Sequence, residues 1–246
     1  MKIMNKTEGR NPVLEALKAG RRLDEILIYK NASGIKELMN KAKSKGIKVK
    51  RVSKEKLDDL AESYSHQGVI AFGEAIKYLS LDQLIKQGYQ KAEDPLFILL
   101  DEIKDPHNLG SVLRSANAVG AQGVIIPKRR SVGLTPVVGK ASAGAIEYVP
   151  VAQVTNLVRA MEKLKEKRFW IAGADMEGKQ TCYQADLTGA LGIVIGSEGS
   201  GMRRLVKERC DFLVKLPMKG KVSSLNASVA GTLLMYESLR QREYEN

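Results

Sequence analysis

The stretch LFILLDEIKDPHNLGSVLRSANAVGAQGVIIP, Leu96 to Pro127, decides the fold class. Five consecutive apolar residues, Leu96 to Leu100, lead through a polar loop into a segment from about Leu109 to Val119 with apolar residues at helical spacing. A second apolar run, Gly123 to Pro127, follows. Short apolar runs either side of a helix read as strands buried on both faces, because a strand with one wet face would alternate apolar and polar residues. The same rhythm continues in RFWIAGA (Arg168 to Ala174), LGIVIG (Leu191 to Gly196) and FLVKLP (Phe212 to Pro217). The pattern predicts an α/β domain with a parallel sheet covered by helices. Ligands of such sheets sit beyond the carboxyl ends of the strands, which directs attention to the loops that follow them.

Upstream the texture differs. Pro12 opens a helix that Gly20 closes, Glu25 to Tyr29 reads as a strand, and Ile35 to Lys45 is a lysine-rich amphipathic helix. Ile47 to Val52 and Val69 to Phe72 add two short strands. The expected organisation is a small α/β domain over residues 1–76, a linker over 77–94 and the parallel-sheet domain over 95–246. Within the linker, Ser80 and Gln83 form a capping-box pattern for a short helix, and GYQKAEDP (Gly88 to Pro95) is polar.

Composition restricts the partners. The 246 residues carry 40 Lys and Arg against 28 Asp and Glu, a net charge of +12. That surplus attracts polyanions, RNA or DNA first. It is densest before residue 94, with 19 basic against 12 acidic side chains. No apolar run reaches the roughly 20 residues of a membrane span, and the polar N-terminus lacks the apolar core of a signal peptide. A cytoplasmic protein with no membrane association is expected. Cys182 and Cys210 are the only cysteines and His66 and His107 the only histidines, so neither a disulfide scaffold nor a metal site is expected.

Three loops carry chemistry-bearing residues. In DPHNLGSVLRSANAVG (Asp105 to Gly120), Asn108 stands at a helix start and Arg114 two turns further on, among small and apolar neighbours where a charge must be paired, used or turned to solvent. His107 reads as a turn residue. In IGSEGSGM (Ile195 to Met202), three glycines let backbone N–H groups approach a ligand, while Glu198 would repel a pyrophosphate and suit a cationic or hydroxyl-bearing one. The spacing is neither a dinucleotide fingerprint nor a Walker loop. In LPMKGKVSSLNASVAG (Leu216 to Gly231), Ser223, Ser224, Asn226 and Ser228 crowd a helix start, more polar side chains than capping requires.

In this order and at these separations, the three segments resemble motifs one, two and three of the SpoU (TrmH-like) family of RNA ribose methyltransferases, within the SPOUT superfamily. The resemblance spans about Pro95 to Arg240. GRNPVLEALKAGRRLDEILIY near the start and SHQGVIA (Ser65 to Ala71) resemble the substrate-binding domain of the bacterial members that methylate a guanosine ribose in 23S ribosomal RNA. The resemblance implies a SPOUT-type parallel sheet whose C-terminal segment forms a trefoil knot, preceded by a small RNA-binding α/β domain, in a homodimer. It implies S-adenosylmethionine as methyl donor, held in the knot by Gly196, Gly199, Leu216, Met218, Ser224 and Leu225. Asn108, Arg114, Glu198, Ser224 and Asn226 would form the catalytic group, with Ser223 a second candidate for the serine. Ribosomal RNA is the expected substrate. A tRNA or other ribosomal site is the alternative enzyme reading, and a catalytically silent RNA-binding or ribosome-assembly protein is the alternative of another class.

Overall fold

The computed structural model of the chain describes residues 5–63, 65–222 and 224–244. Its contacts divide the chain into two units, Met1–Lys77 with Leu134–Tyr148, and Tyr78–Gly133 with Val149–Asn246.

The first unit contains β1 (Lys6–Glu8), α1 (Arg10–Lys18), β2 (Leu23–Tyr29), α2 (Lys36–Ser44), β3 (Lys48–Val52), α3 (Lys54–Leu60) and β4 (Val69–Gly73). Its sheet runs β1-β4-β2-β3, with β4 antiparallel to both neighbours and β2 parallel to β3. Alternate residues of β2 and β4 (Ile26, Ile28, Val69, Ala71) meet Val13, Leu17, Leu38 and Ala42 from α1 and α2 in one buried cluster. The strands read from the sequence correspond to β2, β3 and β4. The three-residue β1 and the short α3 carry too few residues to show a period.

The second unit opens with α4 (Leu81–Lys91), whose Ser80 and Gln83 exchange both capping-box hydrogen bonds, at 3.2 and 2.8 Å. This corrects the reading of 77–94 as a linker. Leu84 is fully buried, and Gly88 is small because the ring of Phe97 passes 2.6 Å from where a Cβ would stand. The capping box announced the helix, but its narrow buried stripe did not show that it packs within the second unit.

Then follow β5 (Leu96–Leu100), α5 (Pro106–Ala118), β6 (Gly123–Pro127), α6 (Pro136–Ala141), β7 (Val151–Val154), α7 (Leu157–Glu166), β8 (Trp170–Ala174), β9 (Gln180–Thr181), β10 (Leu191–Ile195), α8 (Arg204–Arg209), β11 (Phe212–Lys215) and α9 (Ala227–Tyr244). The strands form one parallel sheet in the order β7-β6-β5-β10-β8-β11-β9. The mixed α/β class with a parallel sheet read from Leu96 to Pro127 is the one observed. All five residues of β5, β6 and β10 are buried, as strands covered on both faces require. In the register, Leu96 pairs with Leu191 and Leu100 with Ile195, so the loops after β5 and β10 leave the sheet side by side.

The segment Leu134–Tyr148, which the sequence placed in the parallel-sheet domain, clusters with the first unit instead. The Arg21 guanidinium lies 3.2 Å from the Glu147 carboxylate, with both side chains almost wholly buried. The Tyr148 hydroxyl donates to Glu15 at 2.7 Å, and burial together with that hydrogen bond pushes the phenol up to about 12. A buried carboxylate needs a cation, and Arg21 is 126 positions away in sequence, beyond the reach of any local pattern. Among the described residues, no helix is long and apolar enough to cross a membrane, and no group of three His, Cys, Asp or Glu is placed to hold a metal ion.

Candidate active site

The site lies where the loops after β5, β10 and β11 converge, at the carboxyl edge of the parallel sheet. Helix α5 starts earlier than the sequence suggested: Asp105 is its cap, accepting the His107 N–H at 2.9 Å, and Pro106 occupies the first turn. His107 is thus helical, and Asn108 is a residue of the first turn and not its cap. That placement frees the Asn108 side chain, which is buried, to donate from Nδ2 to Glu198 Oε1 at 2.8 Å.

Asn226 completes the cluster and answers why polar residues crowd the start of α9. Its Oδ1 accepts the Ser228 and Val229 N–H groups at 2.9 and 3.3 Å, capping the helix, and the Ser228 hydroxyl at 2.6 Å. Its Nδ2 donates to Asn108 Oδ1 at 2.9 Å and to Glu198 Oε1. One carboxamide therefore caps a helix with its oxygen and ties two loops together with its nitrogen. Among the described residues, Glu198 Oε2 receives no hydrogen bond, and Glu198 and Asn226 are exposed. The cluster presents an anionic oxygen at the mouth of the site.

Two further contacts hold this geometry. Ser115 on α5 and Thr232 on α9 share a hydrogen bond of 2.7 Å, locking the helices that carry Asn108 and Asn226. Asp101, wholly buried at the end of β5, accepts the Arg203 N–H and Nε–H, both at 2.8 Å, while Arg203 Nη2 lies 2.7 Å away. The paired carboxylate holds the Arg203 guanidinium above its ordinary range. Arg203 ends the glycine loop that bears Glu198, so this clamp fixes that loop against the strand leading to Asn108.

A cavity of about 600 Å³ opens beside the cluster, lined in part by Gly196, Gly199, Leu216, Met218, Ser224 and Leu225. The structure thus brings together the six residues that the resemblance assigned to the donor. Gly196 has no room for a Cβ, which would collide with the backbone of Gly201 and Met202. Gly199 and Gly201 adopt φ of 83° and 66°, letting Ser197 and Gly201 exchange two backbone hydrogen bonds of 3.0 Å. Ser223 lies outside the described residues.

Arg114 is not drawn into the cluster. Six residues beyond Asn108 on the same helix, it points about 120° around the axis from it. It is exposed and makes no hydrogen bond or ion pair among the described residues. Its apolar neighbours Val112, Leu113 and Ala116 face the core, so the charge needs no buried partner.

Comparison with known proteins places this geometry. A model of the SpoU rRNA methylase family matches residues 95–236, and one described as RNA 2′-O ribose methyltransferase substrate binding matches residues 7–79. The chain belongs to the SpoU rRNA methylase family. It is 51% identical over 236 residues to the Bacillus subtilis protein YacO, assigned to the TrmH family of tRNA/rRNA methyltransferases, covering 95% of this chain and 94% of that one. A Staphylococcus aureus protein of the same assignment is 48% identical over 236 residues, covering 95% of each chain. The crystal structure of the SpoU methyltransferase AviRb from Streptomyces viridochromogenes with AdoMet superposes with a TM-score of 0.82 at 26% identity, over 96% of this chain and 89% of that one. The TrmH/SpoU tRNA modifying enzyme of A. aeolicus superposes with a TM-score of 0.57 at 26% identity, over 67% of this chain and 83% of that one. The protein is therefore an RNA methyltransferase of the SpoU family.

For this SpoU member, the sequence missed part of the cavity wall. Ala174 at the end of β8 and Asp175 and Met176 just beyond it line it, as do Ser197 and Ser200. Asp175 also accepts from Lys207 at 3.0 Å. The rule that ligands gather beyond strand ends points to GADM after RFWIA as readily as to the other loops. The Asp101–Arg203 clamp had no such signal, because an acid closing a strand is common.

Proposed function

We propose that this protein transfers the methyl group of S-adenosylmethionine to a ribose 2′-hydroxyl of RNA, with a guanosine of 23S ribosomal RNA as the target. The observation that carries this reading is the Asn108–Glu198–Asn226 cluster at the mouth of a cavity walled by the second and third loops. The cavity fits the donor's chemistry. Val214, Leu216, Leu225 and Leu234 offer apolar surface, backbone approaches closely at Gly196 and Gly199, and the carboxylate of Glu198 favours a positive ligand over a polyphosphate. When bound, S-adenosylmethionine supplies a methyl group on a cationic sulfur.

The chain's own residues then have separable tasks. Glu198, fixed by two amide donors, keeps Oε2 free to accept a hydrogen bond from the acceptor hydroxyl and so orient it. Asn108 and Asn226 hold that carboxylate in place, and Ser224 contacts the donor or backbone. Arg114 stabilises charge on the alkoxide and the adjacent phosphate; a guanidinium donates hydrogen bonds and accepts none, which makes it a poor base. That Arg114 has no hydrogen-bond or ion-pair partner among the described residues agrees with such a use.

Two further parts belong to the proposal. The knot is supported by the path of the chain: β10 lies between the earlier strands β5 and β8, and α9 returns to pack on α5. A homodimer is supported by α9, where Val229, Leu233 and Tyr236, spaced one and two turns apart, are each about half exposed. The match to the substrate-binding model over residues 7–79, and the third of the chain left unmatched by the A. aeolicus tRNA modifying enzyme, favour a ribosomal over a tRNA substrate.

The test is a single 2′-deoxy substitution at the modified nucleotide, once mapped. Binding should persist and methylation should vanish, because phosphates and surrounding shape carry the affinity. Methylation of the deoxy RNA near the normal rate would overturn the ribose assignment.

A further inference from the structure

We propose that RNA docks on one end of the first unit, where the start of α1 and the loops 30–34 and 67–68 meet the end of β3, with Arg10, Lys30 and Arg51 as its phosphate contacts. The proposal rests on the RNA-methyltransferase reading above and says which surface of the substrate unit the RNA meets.

Several contacts bring these loops together. The Arg10 N–H donates to Gln67 Oε1 at 3.2 Å, and its Nη1 to the Ser33 carbonyl at 2.8 Å. Arg51 Nη1 donates to the Lys30 carbonyl at 2.7 Å, and the Tyr29 N–H to the Gly68 carbonyl at 2.8 Å. Gly34 has φ of 68°, a backbone that side chains rarely adopt, and a Cβ there would stand 2.6 Å from Arg10 Nη1. Gln67, with φ of 51°, holds a left-handed backbone that a side chain rarely adopts.

Some cations of the unit are paired with carboxylates, whereas Arg10 and Arg51 are unpaired among the described residues yet oriented by backbone carbonyls. Lys6, Lys18, Arg21 and Lys50 are each paired with a carboxylate. Arg10, Lys30 and Arg51 form no ion pair among the described residues, and Asp58, near Gln67 in sequence, is engaged by the His66 ring at 2.8 Å. Each guanidinium is held by a neutral carbonyl through one N–H. That contact fixes the fork's direction without cancelling its charge, and four of its five N–H donors remain for a phosphate. Lys41 and Lys43 on α2 and Lys45 just after it are exposed and form no ion pair among the described residues, but each must lose rotamer freedom, worth up to about 2 kcal/mol per side chain, to hold a phosphate. The pre-oriented arginines avoid most of that loss.

The experiment compares two full-length triple variants that remove equal charge: Arg10→Gln with Lys30→Gln and Arg51→Gln, and Lys41→Gln with Lys43→Gln and Lys45→Gln. Binding to deproteinised bacterial ribosomal RNA is measured over a salt series, with donor affinity by calorimetry and thermal melting as checks on folding. The first variant should bind at least about tenfold more weakly and lose about two units of the slope of log affinity against log salt, from about 0.7 per contact on single strands. The second should stay within about threefold of the wild type. A double Arg10→Lys, Arg51→Lys variant, closer to the native structure, should keep the slope and lose about threefold in affinity, because charge remains and the fork does not. Equal losses in the two triple variants, or a larger loss in the α2 set, would overturn the proposal, as would wild-type affinity in the double variant. A wild type that binds RNA but methylates no ribose would remove the catalytic reading and leave this surface standing, whereas one that binds no RNA would remove both.

Discussion

Asn226 Nδ2 donates to Asn108 Oδ1 at 2.9 Å, joining side chains 118 positions apart through amides that both also bind Glu198. Neither residue is placed by its own helix alone. Asn108 is held where α5 starts after β5, Asn226 where α9 starts after β11, and Glu198 by a glycine loop clamped to Asp101 through Arg203.

Glu198→Gln removes the charge that both amides approach while preserving shape. Hydrogen bonds to charged groups contribute about 1.5–3 kcal/mol each, so methyl transfer should fall at least about tenfold in kcat with the fold intact. Single-turnover kinetics with labelled donor would read this, and an unchanged kcat would remove Glu198 from the catalytic group.

Asn226→Ala should affect two measurements at once. Loss of the cap should cost about 1 kcal/mol of stability in urea titration. Loss of the amide that steadies Glu198 should lower turnover as well. Asn226→Asp should keep the cap and still lower turnover, because a second carboxylate would face Glu198 in place of an N–H donor.

Asp101→Ala should destabilise more than either. It leaves Arg203 without its bidentate partner and the Arg203 N–H unmet, and breaking such a pair costs about 3–5 kcal/mol when both partners are buried. Arg203 is 43% exposed, so the loss should be nearer 2–3 kcal/mol, with donor affinity falling alongside. A loss of stability with donor affinity intact would show that the clamp does not position the glycine loop.

Arg114→Lys should abolish transfer while leaving melting and donor affinity near those of the wild type. The side chain is exposed and forms no bond among the described residues, so stability should move by no more than about 0.5 kcal/mol. Near-normal turnover in this variant would sink its assigned role.

Leu84→Ala tests whether α4 belongs to the catalytic unit. Leu84 is fully buried, against Gly123 and within the cluster that includes Phe97 and Leu99. The substitution should cost about 2–5 kcal/mol in a urea titration. A linker residue would show almost none.

The sequence by itself determined five of the seven strands of the parallel sheet, β5, β6, β8, β10 and β11, and the three loops beside its edge, but not the short β7 and β9. LFILL, GVIIP and LGIVI are apolar throughout because both faces of a parallel sheet are covered, and that composition is a local signal. Asn226 before α9 was legible for a similar reason, since the polar residues quoted there exceed what a cap consumes. Tertiary structure decided the rest. The buried stripe of α4 rests on Phe97 and Gly123, the segment 134–148 is claimed by Arg21, and the Asp101 clamp closes on a residue 102 positions away. Each depends on a buried polar or packing partner distant in the chain, and the cost of leaving such a group unpartnered is paid only once the chain has brought the two together. Composition reports what a residue can do, and only the folded chain reports which partner it has been given.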